Sequence, residues 1–267
     1  MAGSALALNR GALRRSPLIS RKTQGDVRIL LMSHGKANAL DIEFLDALTS
    51  ELRAVGSDAD VRAAVLTGGG SIFCAGVDLK RVVDGGEPYV RAFLPALERA
   101  LEAAFSCEKP LVAAINGHAI AGGYILACAT DRRIMADGNA RVGLPELHVG
   151  VPFPTLVLEI LRATVAANRL QELLLVGGTQ PPAAALAAGL IDEVLPADQL
   201  REAASGTAQR LGSLSPAAYA TTKRKLRAPA IAAWRAQASD GDAAIVEQWC
   251  ETGTLDAIRR FVEKTLR

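Results

Sequence analysis

The sequence predicts an α/β fold on a mostly parallel sheet, followed by an all-helical C-terminal part. Three observations lead there. Short apolar runs alternate with segments of helical periodicity as far as Leu195, the order that lays helices across parallel strands. Beyond that point the apolar runs stop, and only helical windows remain, at 197–211, 215–227, 230–249 and 254–266. Finally, 267 residues that are 50% hydrophobic but only 4% aromatic supply one large core, built from Ala, Val, Leu and Ile rather than from stacked rings. The chain accordingly divides into a flexible N-terminal extension (1–16), an α/β core (17–195) and a helical C-terminal region (196–267).

Taken in order, the first 22 residues carry Arg10, Arg14, Arg15, Arg21 and Lys22 with no acid before Asp26, a bias shared by transit peptides and frayed termini. Val27 to Ser33 reads as a strand, hairpinned through Gln24, Gly25 and Asp26 to a first strand near Leu18 to Ser20. A helix follows, with Asp41 and Glu43 on its first turn and Phe44, Leu45, Leu48 and Leu52 along one face. Val61 to Thr67 is the next strand, ended by Gly68, Gly69 and Gly70. After Pro88 the stripe Val90, Phe93, Leu94, Leu97, Leu101 and Phe105 predicts a second helix. Leu111 to Ile115 and Arg133 to Ala136 return as strands. Between them, Leu111 to Thr130 is uncharged over about the length that crosses a bilayer. Asn116, His118 and three glycines interrupt it, so it reads as a buried strand, a glycine turn and a buried helix. The run from Pro181 is a helix with proline in its first turn, where the missing N–H costs nothing.

A net charge of +2 gives no field for nucleic acid or an anionic membrane. The basic run Lys223, Arg224, Lys225 and Arg227 reads as a solvated helix face without aromatic stacking partners. Cys74, Cys107, Cys128 and Cys250 lie far apart, so reduced thiols in a cytoplasm-like compartment are expected. Phosphate and dinucleotide fingerprints fail. Gly117 and Gly122 have P-loop spacing, but Gly123 and Tyr124 follow where Lys and Ser or Thr are needed, and Gly68 to Gly70 make no GxGxxG. There is no GxSxG elbow, and His34, His118 and His148 have no metal-ligand spacing.

Two glycine-bearing segments remain, Gly68 to Lys80 and Ile115 to Ala127, each leaving the end of a buried strand. Glycine lets a backbone N–H face a ligand without a side chain in the way. Gly122 and Gly123 open a helix whose first turn carries partial positive charge. Two such N–H groups aimed at one point would form an oxyanion hole, whereas the bland alternative is a pair of tight turns. Cys74 has no histidine placed by sequence to activate it and reads as packing, while Tyr124 either lends a phenol to a pocket or fills the helix core.

These blocks resemble the enoyl-CoA hydratase/isomerase (crotonase) superfamily. HGKANALD (His34 to Asp41), FCAGVDLK, NGHAIAGG, VGLPELHVGV, AAGLIDEV (Ala187 to Val194) and the terminal FVEK (Phe261 to Lys264) match it in order and spacing. The resemblance implies a crotonase-like spiral of repeated ββα units and a helical C-terminal region that trimerises, often as a dimer of trimers. It implies an acyl-CoA thioester as substrate, with coenzyme A part of that substrate, no separate cofactor and no metal. Val77 and Gly122 fall at the oxyanion-donor positions. Lys36, Ala37 and Ala39 match the stretch holding the adenine end of coenzyme A, and Ala75, Asp78, Leu79 and Lys80 match the loop beside it. Gly123 and Ile125 fall in the substrate-binding block, and Lys264 matches a basic position near the CoA phosphate.

One position departs from the hydratase pattern. Hydratases of this family carry two glutamates; here the second is Glu146, but the first is Ile125. Adding water across a conjugated double bond asks for a base and, in most accounts, a second proton-transfer group. A lone carboxylate suffices to move a proton from the carbon beside a thioester to a carbon two positions on, a 3,2-enoyl isomerisation. The alternatives are hydration or another crotonase-type reaction, and, in a different class, a non-catalytic acyl-CoA-binding protein. Burial of Glu146 against Ile125 and Leu147 is expected to raise its pKa.

Overall fold

The computed structural model describes residues 17–237 and 241–265, so the expected N-terminal extension lies outside the described residues. The hairpin is present as β1 (Ile19–Gln24) and β2 (Val27–Met32), paired with Gln24 opposite Val27. Gly25 makes the tight reversal at φ +62°, a conformation that costs glycine nothing. Helix α1 (Ile42–Ser57) starts where Asp41 caps it by accepting the Phe44 N–H, and it buries the Phe44, Leu45, Leu48, Leu52 face.

From β3 (Ala63–Gly68) onward the chain repeats one unit. β3, β4 (Ile72–Cys74) and α2 (Leu79–Phe105) make the first turn of a spiral. β5 (Leu111–Ile115), β6 (His118–Ile120) and α3 (Gly122–Cys128) make the second, and β7 (Arg132–Ala136), β8 (Val142–Gly143) and α4 (Glu146–Val149) the third. The chain continues through α5 (Thr155–Thr164), α6 (Ala167–Gln171), a π-helical turn (Glu172–Val176), β9 (Thr179–Gln180), α7 (Pro182–Ala187) and β10 (Glu193–Leu195). The first strand of each unit joins a six-stranded sheet, β1-β2-β3-β5-β7-β10, parallel apart from the hairpin. The second strand of each joins a four-stranded sheet, β4-β6-β8-β9. This is the ββα spiral that the resemblance implies.

Both faces of the large sheet are buried, which is why its strands read as unbroken apolar runs. On one face Ala63, Val65, Val112, Ala114 and Ile134 meet Leu200, Ala204 and Ala208 of α8 (Leu200–Gly212). On the other, Ala64, Leu66, Leu111, Ala113 and Ile115 meet the main core, with α1, α2 and α3. α9 (Pro216–Gln237), α10 (Gly241–Cys250) and α11 (Thr252–Thr265) complete the described chain.

Several boundaries differ from the sequence reading. The helix expected after Pro88 begins earlier, at Leu79, and is broken at Gly86 (φ +56°), so Pro88 opens its second segment, where proline is tolerated. The windows 215–227 and 230–249 redistribute. α9 runs through Pro229, because the carbonyl that proline leaves without its usual donor belongs to exposed Lys225 and can reach water. The basic run is not a solvated face throughout: Lys223 and Arg227 are buried and converge on Asp131 at 2.6 and 2.8 Å. Asp131 also accepts the Leu111 N–H, so one carboxylate ties α9 to the entry of β5. Cys74, Cys107 and Cys128 are buried free thiols, as is the half-buried Cys250. Among the described residues no helix is long and apolar enough to cross a membrane.

Candidate active site

The two glycine-bearing segments, the turn at Glu146, α2, α5 and the last two helices enclose a cavity of about 110 Å³. Its walls include Ala75, Val77, Leu79, Gly122, Ile125 and Glu146, so residues far apart in sequence meet at one place. Of the described residues lining it, Glu146 is the only ionisable one.

Backbone geometry explains how the glycine segments face this space. Leu40 N–H donates to Gly76 O (2.8 Å), and Asp78 N–H donates to Leu40 O (3.0 Å), a parallel bridge beside Val77. In such a bridge the amide between the two bonded groups turns the other way. No protein acceptor among the described residues takes the N–H of Val77 or of Gly122. The segments touch at Gly76 (φ +89°), where an added Cβ would fall 2.8 Å from the Ala121 Cβ and 3.3 Å from the Gly122 nitrogen. Gly123 is equally confined: a Cβ there would fall 2.1 Å from Cys74 O, so α3 approaches β4 backbone to backbone. Ala121 holds φ +52° just before α3, a conformation that costs a non-glycine residue about 1–3 kcal/mol and clusters at functional sites.

Glu146 opens the one-turn helix α4, which Gly150 (φ +93°) closes by donating to the Glu146 and Leu147 carbonyls. Its side chain is only 8% exposed, and Oε2 has no hydrogen-bond partner among the described residues. Burial pushes its pKa up to about 8, partly opposed by a backbone hydrogen bond. Ile125, buried from the second glycine segment, contributes to that apolar surround, but Leu147 does not. It is 43% exposed and lines no part of the cavity, because successive residues of a helical turn point in different directions. Val149, Val151 and Phe153 do the desolvating instead.

Of the remaining sequence-derived candidates, Ala37 lies alongside the first segment, its carbonyl accepting the Ala75 N–H at 3.0 Å, and Ala39 precedes the Leu40 bridge. Lys36 is exposed on the same stretch. Asp78, Leu79 and Lys80 are not a loop: Asp78 caps α2 by accepting the Arg81 N–H, and Leu79 and Lys80 form its first turn. Lys80 is exposed and pairs with Asp84. Lys264 is exposed on α11 and does not line the cavity. Burial pushes the Cys74 thiol up to about 12, which keeps it protonated and inert. Tyr124 fills the helix core, its hydroxyl donating to Leu190 O at 2.8 Å. Sequence reasoning missed Trp249 and Phe261, which reach the cavity from α10 and α11. In a chain with two tryptophans, Ile245, Val246 and Trp249 on one helical stripe mark an inward face that can be recognised.

Comparison with known proteins agrees with this geometry. The sequence model described as enoyl-CoA hydratase/isomerase matches residues 22–266. A putative enoyl-CoA hydratase of Thermus thermophilus is 35% identical over 251 residues, 90% of this chain and 96% of that protein. A carnitinyl-CoA dehydratase of Proteus mirabilis is 34% identical over 208 residues, 77% of this chain and 78% of its own length. Among solved structures, human mitochondrial delta3-delta2-enoyl-CoA isomerase superposes with a TM-score of 0.88 at 25% identity, covering 92% of this chain and 97% of that one. An enoyl-CoA isomerase of Mycobacterium tuberculosis gives 0.77 at 32% identity, covering 86% and 99%.

Proposed function

The chain belongs to the enoyl-CoA hydratase/isomerase family, and we propose that within it this protein isomerises 3-enoyl-CoA to 2-enoyl-CoA with Glu146 as the single proton shuttle. The observation that carries this reading is the pairing of one buried, unpartnered carboxyl with a buried isoleucine where hydratases of the family place a second glutamate.

The thioester oxygen accepts the N–H groups of Val77 and Gly122, donors otherwise without a protein acceptor. Donors of this kind stabilise the charge that develops when the neighbouring carbon loses a proton, at about 3–4 kcal/mol each. Ionised Glu146 removes that proton from C2 and leaves a dienolate whose charge extends to C4. The same carboxyl, now protonated, returns the proton to C4, and the double bond moves from the 3,4 to the 2,3 position with no net change in atoms. A pKa near 8 keeps the two protonation states close in energy at neutral pH, which suits a group that must accept and then donate. Lys36, Ala37, Ala39, Ala75, Asp78, Leu79, Lys80, Gly123, Ile125 and Lys264 are assigned to holding the acyl-CoA, and a homotrimer or dimer of trimers is the proposed assembly.

The test is direct. Purified protein is incubated separately with 3-hexenoyl-CoA and 2-hexenoyl-CoA. Conversion of the first to the 2-enoyl product supports the proposal. Consumption of the second alone, to a 3-hydroxyacyl product, makes the protein a hydratase, and no turnover of either alongside intact CoA binding makes it a binding protein.

A further inference from the structure

The far end of the cavity is closed rather than open. Trp249 on α10 is 3% exposed, and its indole N–H donates to Pro152 O at 3.0 Å, which fixes the ring in place. Phe261 on α11 and Phe153 stand beside it as part of the same lining. A methylene occupies about the volume of a water, roughly 30 Å³, so a space of about 110 Å³ takes about four such groups. A ten-carbon chain needs more than twice that volume.

We infer that Trp249 is the end wall of the acyl site and restricts this protein to straight, apolar acyl chains of about four to six carbons. The inference rests on the acyl-CoA reading above and adds the substrate class. A polar or charged chain is disfavoured because, apart from Glu146, the described side chains around it are apolar.

Saturated acyl-CoAs from acetyl to decanoyl, which cannot be isomerised, are titrated calorimetrically into the intact protein. Each buried methylene strengthens binding about fourfold. In the wild type, affinity rises at that rate to about six carbons and then levels off. In Trp249→Ala it continues to rise to ten, and Phe261→Ala, with the indole retained, shows the same extension to a smaller degree. A near-ultraviolet spectrum and an acetyl-CoA affinity matching wild type establish that each variant is folded. An uninterrupted climb to decanoyl-CoA in the wild type overturns the inference, as does a plateau unmoved in both variants. Tighter binding of butyryl-CoA bearing a trimethylammonium at C4 than of butyryl-CoA also overturns it. If no acyl-CoA binds at all, the functional reading fails first; a plateau in a protein that isomerises nothing leaves the end wall standing and removes only the reaction.

Discussion

Replacing Glu146 by Gln separates the electrostatic cost of the site from the rest of the fold. In the folded chain the carboxyl has its pKa raised from 4.5 to about 8 by burial. The folded state therefore holds the proton over a range where the unfolded state has released it, and stability falls as pH rises from the unfolded value toward 8. At pH 5 the loss is under about 1 kcal/mol, and by pH 9 it approaches about 5 kcal/mol, an upper limit set by the whole shift. Glutamine fills nearly the same volume without ionising. Its stability advantage over the wild type should grow by about 4 kcal/mol between those two pH values, or about 2 if water enters the cavity above pH 8. Urea unfolding of both proteins at pH 5, 7 and 9 measures this difference. Other titrating groups, Glu98 included, are common to both chains and cancel. Parallel pH profiles, differing by less than about 1 kcal/mol across the range, would refute the claim that this carboxyl is held in an apolar site.

The same residue sets the rate. With Glu146 acting as the base, kcat/KM should rise with pH to a plateau with a midpoint near 8, and Glu146→Gln should lose about 10²–10⁴-fold in kcat in a stopped-flow 3-enoyl-CoA assay. Asp131→Asn leaves Lys223 and Arg227 buried without their carboxylate, so chemical denaturation should report a loss of about 3–5 kcal/mol. Gly123→Ala forces a methyl against Cys74 O, and should cost about 2–3 kcal/mol in urea unfolding together with most of the activity, because it pushes the Gly122 amide away from Val77.

Much of this architecture was legible because it follows from patterns longer than a few residues. The faces of α1 and the second segment of α2, and the strands buried on both sides, each follow a period that one sequence displays. The four-stranded sheet was not legible as strands: its members are two or three residues long, too short for alternation to register, and residue-level reading saw only glycine loops there. Glu146 and Ile125 could be singled out from flanking motifs, but the depth to which Glu146 is buried could not. It depends on Val149, Val151 and Phe153, and on helices that return to the site more than 90 residues later in the chain. Lys223 and Arg227 were misread for a related reason: their partner, Asp131, is more than 90 residues away, and only the tertiary fold makes a basic run an interior anchor.

The central claim is that one carboxyl, in a cavity with no second acid or base among its described lining residues, carries the same proton from C2 to C4. Isotope transfer tests it most directly: 3-hexenoyl-CoA carrying deuterium at C2 is converted in ordinary water, and the 2-enoyl product is read by mass spectrometry at the earliest measurable turnover. The account predicts deuterium at C4 well above the level that solvent exchange would leave. Product bearing only protium at C4 from the first turnover would contradict it, since the proton would then come from water or from a second group.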